Sequence, residues 1–209
     1  MSIRLVLDRL ADTLQRVDAP LASQLSEGLA RDAIAARLSS LPAHVASEVH
    51  DYFAWRNGLR ADRAREEELF PDAVMLSLDE ALADYRALCD VAAQVSRQAG
   101  VPASSIWDER WLPLFRHPAG GAYHVTVAAG AAVDRAPIFS VVQEDVSAAA
   151  VAFDSLEALA ATVNECFTSG AYVADNGMIR EDRQRAAAIT HVHNPVRMQN
   201  ATAWLPPTS

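Results

Sequence analysis

Six histidines, two cysteines and twenty-seven carboxylates are the side chains that could do chemistry in this chain, and their spacing decides which chemistry is open to them. His191-Val192-His193 sets two imidazoles at alternate positions, which on a strand would share a face and could grip one ion. Zinc asks for three or four ligands. Glu181 and Asp182 belong to a preceding element and His117 and His124 flank a hairpin turn, so the pair is read as structural, with no metal and no other cofactor expected. His117 and His124 themselves read as residues of the sheet surface. No serine stands in a Gly-x-Ser-x-Gly elbow, and neither Cys89 nor Cys166 has a nucleophile's context. The carboxylates of Glu66-Glu67-Glu68, Asp108-Glu109 and Glu144-Asp145 are adjacent, and neighbours diverge in either periodicity, which suits solvation better than acid/base pairing. Gly120-Gly121 is too short to cradle a phosphate, and there is no lysine. No catalytic residue is expected, and the chain does not read as an enzyme.

Binding is the chemistry that remains. The net charge is −9, and residues 101–175 alone carry nine acids against three arginines. Such a body repels nucleic-acid phosphates and draws in a basic protein. Trp107, Asp108 and Glu109, followed by Arg110-Trp111, read either as core anchors or as a partner-binding rim of aromatic and charged groups. Glu144 and Asp145 join the rim as a solvated strand exit. The two cysteines form no CxxC and read as reduced thiols. Asp8, Arg9 and Asp12 interrupt the first apolar run before a signal peptide can form, and no run is long enough to span a membrane, so a cytoplasmic protein is expected.

These residues must be held by helices and strands whose periods are legible. Ile3, Leu7, Leu10, Leu14 and Val17 mark a first amphipathic helix, and Pro20 to Leu38 a second, with Gly28 allowing two shorter ones. A third helix opens at Pro42 and ends at Trp55; Gly58 is expected to close it in the left-handed conformation with Asn57, while Trp55 anchors it against a later sheet. Trp55, Arg56, Asn57 and Gly58 thus form a structural motif, as do Gly120 and Gly121 in a later turn. Arg60 to Glu68 reads as a solvated loop, Ala73–Leu76 as a strand, and Ser77 with Glu80 as a capping box for a helix that Gly100 stops. Strands follow at 112–117, 122–128, 137–143 and 149–153, the first two joined by the turn at 118–121. Asp154 then caps a helix that ends at Gly170, and a last helix lies near 178–189. The expected fold class is α+β in a single domain. An antiparallel sheet of about four to six strands has helices packed on one side, and additional N-terminal helices (1–40) join a main body (41–195) that precedes a frayed tail (196–209).

The order of these signals resembles the SUKH superfamily. It is carried by Leu41-Pro42, Tyr52 to Gly58, Leu69-Phe70-Pro71, Ser77-Leu78-Asp79-Glu80-Ala81, Trp111 to Phe115, Gly120-Gly121-Ala122-Tyr123, Pro137-Ile138-Phe139, Phe153 to Glu157 and Gly170-Ala171-Tyr172. That group takes in fungal cell-wall-assembly regulators and bacterial immunity proteins. The resemblance implies an α+β scaffold without catalytic machinery that binds and neutralises a polymorphic toxin, with a basic nuclease or similar toxin domain as partner. A regulatory or scaffolding module with another partner is the alternative. Ala122 stands where relatives often carry an acid, so any role of that carboxylate is missing here.

Overall fold

A computed structural model describes residues 3–60, 62, 66–128 and 131–196. In chain order these form α1 (Ile3–Arg16), α2 (Leu21–Gln24), β1 (Leu25–Glu27), α3 (Arg31–Leu38), α4 (Ser47–Trp55) and β2 (Arg56–Leu59). Then come β3 (Glu68–Phe70), β4 (Ala73–Met75), α5 (Leu78–Ala99), a 3-10 turn (Ala103–Ser105), β5 (Trp111–Arg116), β6 (Ala122–Val127), β7 (Ile138–Val142) and β8 (Asp145–Phe153). The described chain closes with α6 (Leu156–Ser169), a hairpin of β9 (Tyr172–Asp175) and β10 (Met178–Glu181), and α7 (Arg183–His193). The α+β class holds. β3 to β8 form one antiparallel meander in sequence order, and β1–β2 and β9–β10 are separate two-stranded ribbons. The tail expected from 196 onward lies, except for Val196, outside the described residues.

Alternation along the strands sorts their side chains onto two faces. On one face Leu112, Leu114, Ile138 and Phe153 share a core with Leu7, Leu10 and Leu14 of α1, Val49 and Phe53 of α4, and Leu159 and Val163 of α6. On the other face Trp111, Val125, Val127, Phe139 and Val141 lie under Leu88 and Ala92, the second half of α5. Helix α5 therefore serves both cores, since Leu78, Ala81 and Leu82 of its first half belong to the larger one. The N-terminal helices are continuous with that core through Leu21 and Ile34.

The stretch Trp55 to Gly58 departs from expectation. Helix α4 begins at Ser47, not at Pro42, and Arg56 is already extended (φ −148°, ψ 139°), so no left-handed residue closes the helix. The chain runs straight into β2, which pairs antiparallel with β1. Gly28 beside β1 makes this possible, because a Cβ there would fall 2.0 Å from the Ala54 carbonyl oxygen. Gly58 is left-handed (φ +69°) within β2, where a Cβ would meet the Ser77 nitrogen at 2.3 Å. That close passage lets the Asn57 side-chain oxygen accept the Leu78 N–H at 2.8 Å, while the Ser77–Glu80 capping box satisfies its neighbours. Asn57 is thus a cap for α5 supplied from a distance, and Trp55 is buried in the main core as expected.

Three further corrections follow from local bonding. Leu69 and Phe70 lie in a strand, with Glu67 and Glu68 buried beside them rather than solvated. Ser155, not Asp154, caps α6 by accepting the Ala158 N–H, and Asp154 accepts the Val196 N–H instead. The stretch before α7 is a hairpin turning at Asn176-Gly177, so α7 starts only at Arg183, behind an Asp182 cap. Replacing Gly58 by Val adds left-handed strain and a backbone clash, and is expected to cost on the order of 3 kcal/mol or more. A urea-unfolding midpoint unchanged from wild type would refute this packing.

Candidate functional site

The expected partner rim is not assembled. Trp107 is buried edge-on to Trp111 (5.4 Å between ring centroids) and Tyr123 (5.9 Å), because the chain folds back beneath the end of α5. Asp108 is also buried, and its carboxylate is spent on Arg110, accepting from Nε at 3.0 Å, Nη2 at 2.6 Å and the backbone N–H at 2.9 Å. Only Glu109 of that run is exposed, and its carbonyl accepts the Tyr85 hydroxyl at 3.0 Å. Glu144 and Asp145 are exposed at the opposite end of the sheet. The register shows this: Trp111 pairs with Val127, whereas Arg116 pairs with Tyr123 near the turn of Gly120 and Gly121, to which the Gln143 N–H bonds at 2.9 Å.

The histidines also fall differently. His191 and His193 lie on helix α7, where residues two apart point to different sides, and the His193 Nε2 sits 2.7 Å from the Glu165 carboxylate. Among the described residues no three His, Cys, Asp or Glu side chains gather as a metal site would need. His124 is half-buried rather than free on the sheet surface. Its ring packs against Phe70 (5.0 Å) and Phe115 (6.4 Å), and burial holds its imidazole down to about 4. His117 stands nearer solvent, accepting the Ala119 N–H through Nδ1 at 3.0 Å with Nε2 3.4 Å from Asp72. A groove of about 200 Å³ between α1 and α6, lined by Arg9, Asp12, Thr13, Arg16, Asn164 and Thr168, faces the C-terminal halves of both helices, whose dipoles oppose an anion.

What the fold does bring together is an acidic sheet end. Arg116 at the end of β5 is ion-paired with Glu66 and lies in the field of Glu80 and Asp84 from the first half of α5. Burial pushes the Asp84 carboxyl up, and Arg116 opposes that shift. Tyr123, across from Arg116, is half-buried, and its phenol is raised by burial and by Asp84. Continuing over the sheet, Tyr123 pairs with Val141, and Val142 pairs with Asp145. Glu144 and Asp145 complete the row on the surface. Among the described residues they form no ion pair, and Asp145 only accepts the Ser147 hydroxyl at 2.5 Å.

Neither a known family model nor any characterised protein sequence matches this chain. The site must therefore be judged by its own chemistry. Exposed carboxylates beside a half-buried tyrosine and a strand edge can attract and orient a cationic surface.

One titration follows from the half-buried His124 imidazole. An unfolded histidine takes up its proton near 6.5. His124 takes it up only near 4, so the unfolded state binds more protons between these values and stability falls as pH drops from about 6.5 to 4. The expected loss is on the order of 2 kcal/mol, and His124→Gln should flatten the slope. A thermal-unfolding series over that range with identical slopes for both proteins would contradict it.

Proposed function

We propose that this chain is a non-catalytic protein-binding module that captures and neutralises a basic partner, most simply a toxin effector domain, as the SUKH resemblance implies. The observation that carries the reading is the exposed acidic pair Glu144-Asp145, which forms no ion pair among the described residues, at the start of the outermost strand of the sheet in a chain of net charge −9. The internal carboxylates point the same way, because Glu48, Glu68 and Asp108 are consumed by backbone or arginine contacts and serve the fold. Steering of a basic partner by such a surface raises association rates and weakens with salt. No described helix is long and apolar enough to cross a membrane.

The test is co-expression with each effector encoded beside the gene. The wild-type chain should abolish the toxicity of one of them. Glu144→Arg with Asp145→Arg should slow association with it roughly tenfold at low salt, measured by stopped-flow fluorescence. Tight binding without loss of toxicity would favour the scaffolding module. No change in the toxicity of any effector would end the immunity reading.

A further inference from the structure

The two outer edges of the six-stranded sheet are treated differently. The β3 edge is closed by the β9–β10 hairpin: the Glu68 N–H donates to the Gly177 carbonyl at 3.1 Å, and the Glu68 carboxylate accepts the Ile179 N–H at 2.9 Å. A charged side chain folded onto the neighbouring backbone is one way to blunt an edge. Among the described residues none covers the first six residues of the β8 edge in this way. Its far end is engaged, since Ala152 has a partner of its own and Asp154 is bonded to both Asn194 and Val196. Between Asp145 and Ala150 there is no proline and no inward charge, and Ser147, Ala148 and Ala150 are small and exposed.

The register there is unusual. Val142 pairs with Asp145 and Ser140 with Ala150, so Val146 to Ala149 stand opposite Val141 alone. Four residues cannot all bond to the backbone of one. The bulge therefore leaves backbone donors and acceptors of β8 unmatched within the sheet, immediately beyond Glu144 and Asp145.

On the reading of the chain as a binder of a basic protein, we infer that the partner docks an extended segment along Asp145–Ala150 of β8, with an arginine or lysine of that segment set against Glu144 and Asp145. Strand addition supplies main-chain hydrogen bonds, and the flanking charges supply register and selectivity. Charge selects against a second copy of this chain in the same place. Two bodies of −9 repel. The small exposed side chains let another backbone approach without displacing anything.

The test is an amide NMR titration of the full chain with two short extended peptides, Arg-Thr-Val-Thr-Val-Arg and Glu-Thr-Val-Thr-Val-Glu, both blocked at their ends. The basic peptide should give saturable shifts confined to residues 143–150, weakened at least fivefold between about 0.05 and 0.5 M salt. The acidic one should give none. Ala148→Arg should abolish these shifts and also abolish neutralisation of the cognate effector, whereas Glu109→Arg at the far end of the sheet should leave both intact. Shifts centred on another element, equal shifts with both peptides, or an Ala148→Arg variant that still neutralises would overturn the strand-addition mode. In that last case the protein-binding function would stand. A wild-type chain that neutralises no effector but shows the shifts would support the docking edge while removing the immunity reading.

Discussion

A single buried carboxylate ties together three parts of the chain that lie far apart in sequence. Glu48, 3% exposed at the start of α4, accepts the Ala136 N–H at 3.0 Å and the Glu157 N–H at 3.3 Å. The backbone beside it bonds the same loop, Ser47 to the Val133 carbonyl and Glu48 to that of Asp134. One side chain thus joins the segment leading into β7 to the N-termini of α4 and α6. Burial pushes the Glu48 carboxyl up, opposed first by its amide donors and then by Arg135. The positive ends of two helices offset part of the cost of placing an acid there. With α4 and α6 locked to the entry of β7, the larger core has a fixed wall.

The same economy separates structural charges from available ones. Glu68 satisfies an amide of the β9–β10 hairpin, Asp108 is forked onto Arg110, and Asn194 joins the Thr162 hydroxyl to the Asp154 N–H at the end of α7. Each would be costly to leave unpaired, and each is paired. Glu144 and Asp145, by contrast, are exposed at the margin of the sheet and form no ion pair among the described residues. The acidic composition is therefore a surface property, while the buried acids work as fasteners.

Elements governed by neighbours in sequence were legible. The Ser77–Glu80 box, the stops at Gly100 and Gly170 and the turn at Gly120-Gly121 are local devices, and each lies where its residue types place it. Features set by distant partners were not. Asn57 reads as a helix stop but caps another helix, because β2 is captured by β1 and carried past Ser77. Trp107 and Asp108 carry the composition of a binding rim, yet the fold-back under α5 buries both. The last hairpin is a different kind of miss, since Asn176-Gly177 is a recognised two-residue turn signal that the helical reading of 178–189 overrode. That displacement also moved His191 and His193 from a supposed strand onto a helix and dissolved their shared face. In the site, Glu144 and Asp145 were visible as exposed acids, but the bulge beside them depends on cross-strand register, which no single stretch encodes.

On the proposed function, the acidic sheet end and the adjoining edge of β8 form the partner surface, while Glu48, Glu68 and Asp108 serve the fold. Hydrogen exchange on the full chain, alone and saturated with the effector domain that the proposed function requires, tests it most directly. The account predicts rapid exchange of the Val146–Ala149 amides in the free chain and new protection centred on residues 143–150 in the complex. Protection centred on α1, α7 or the β9–β10 hairpin, with 143–150 unchanged, would contradict it.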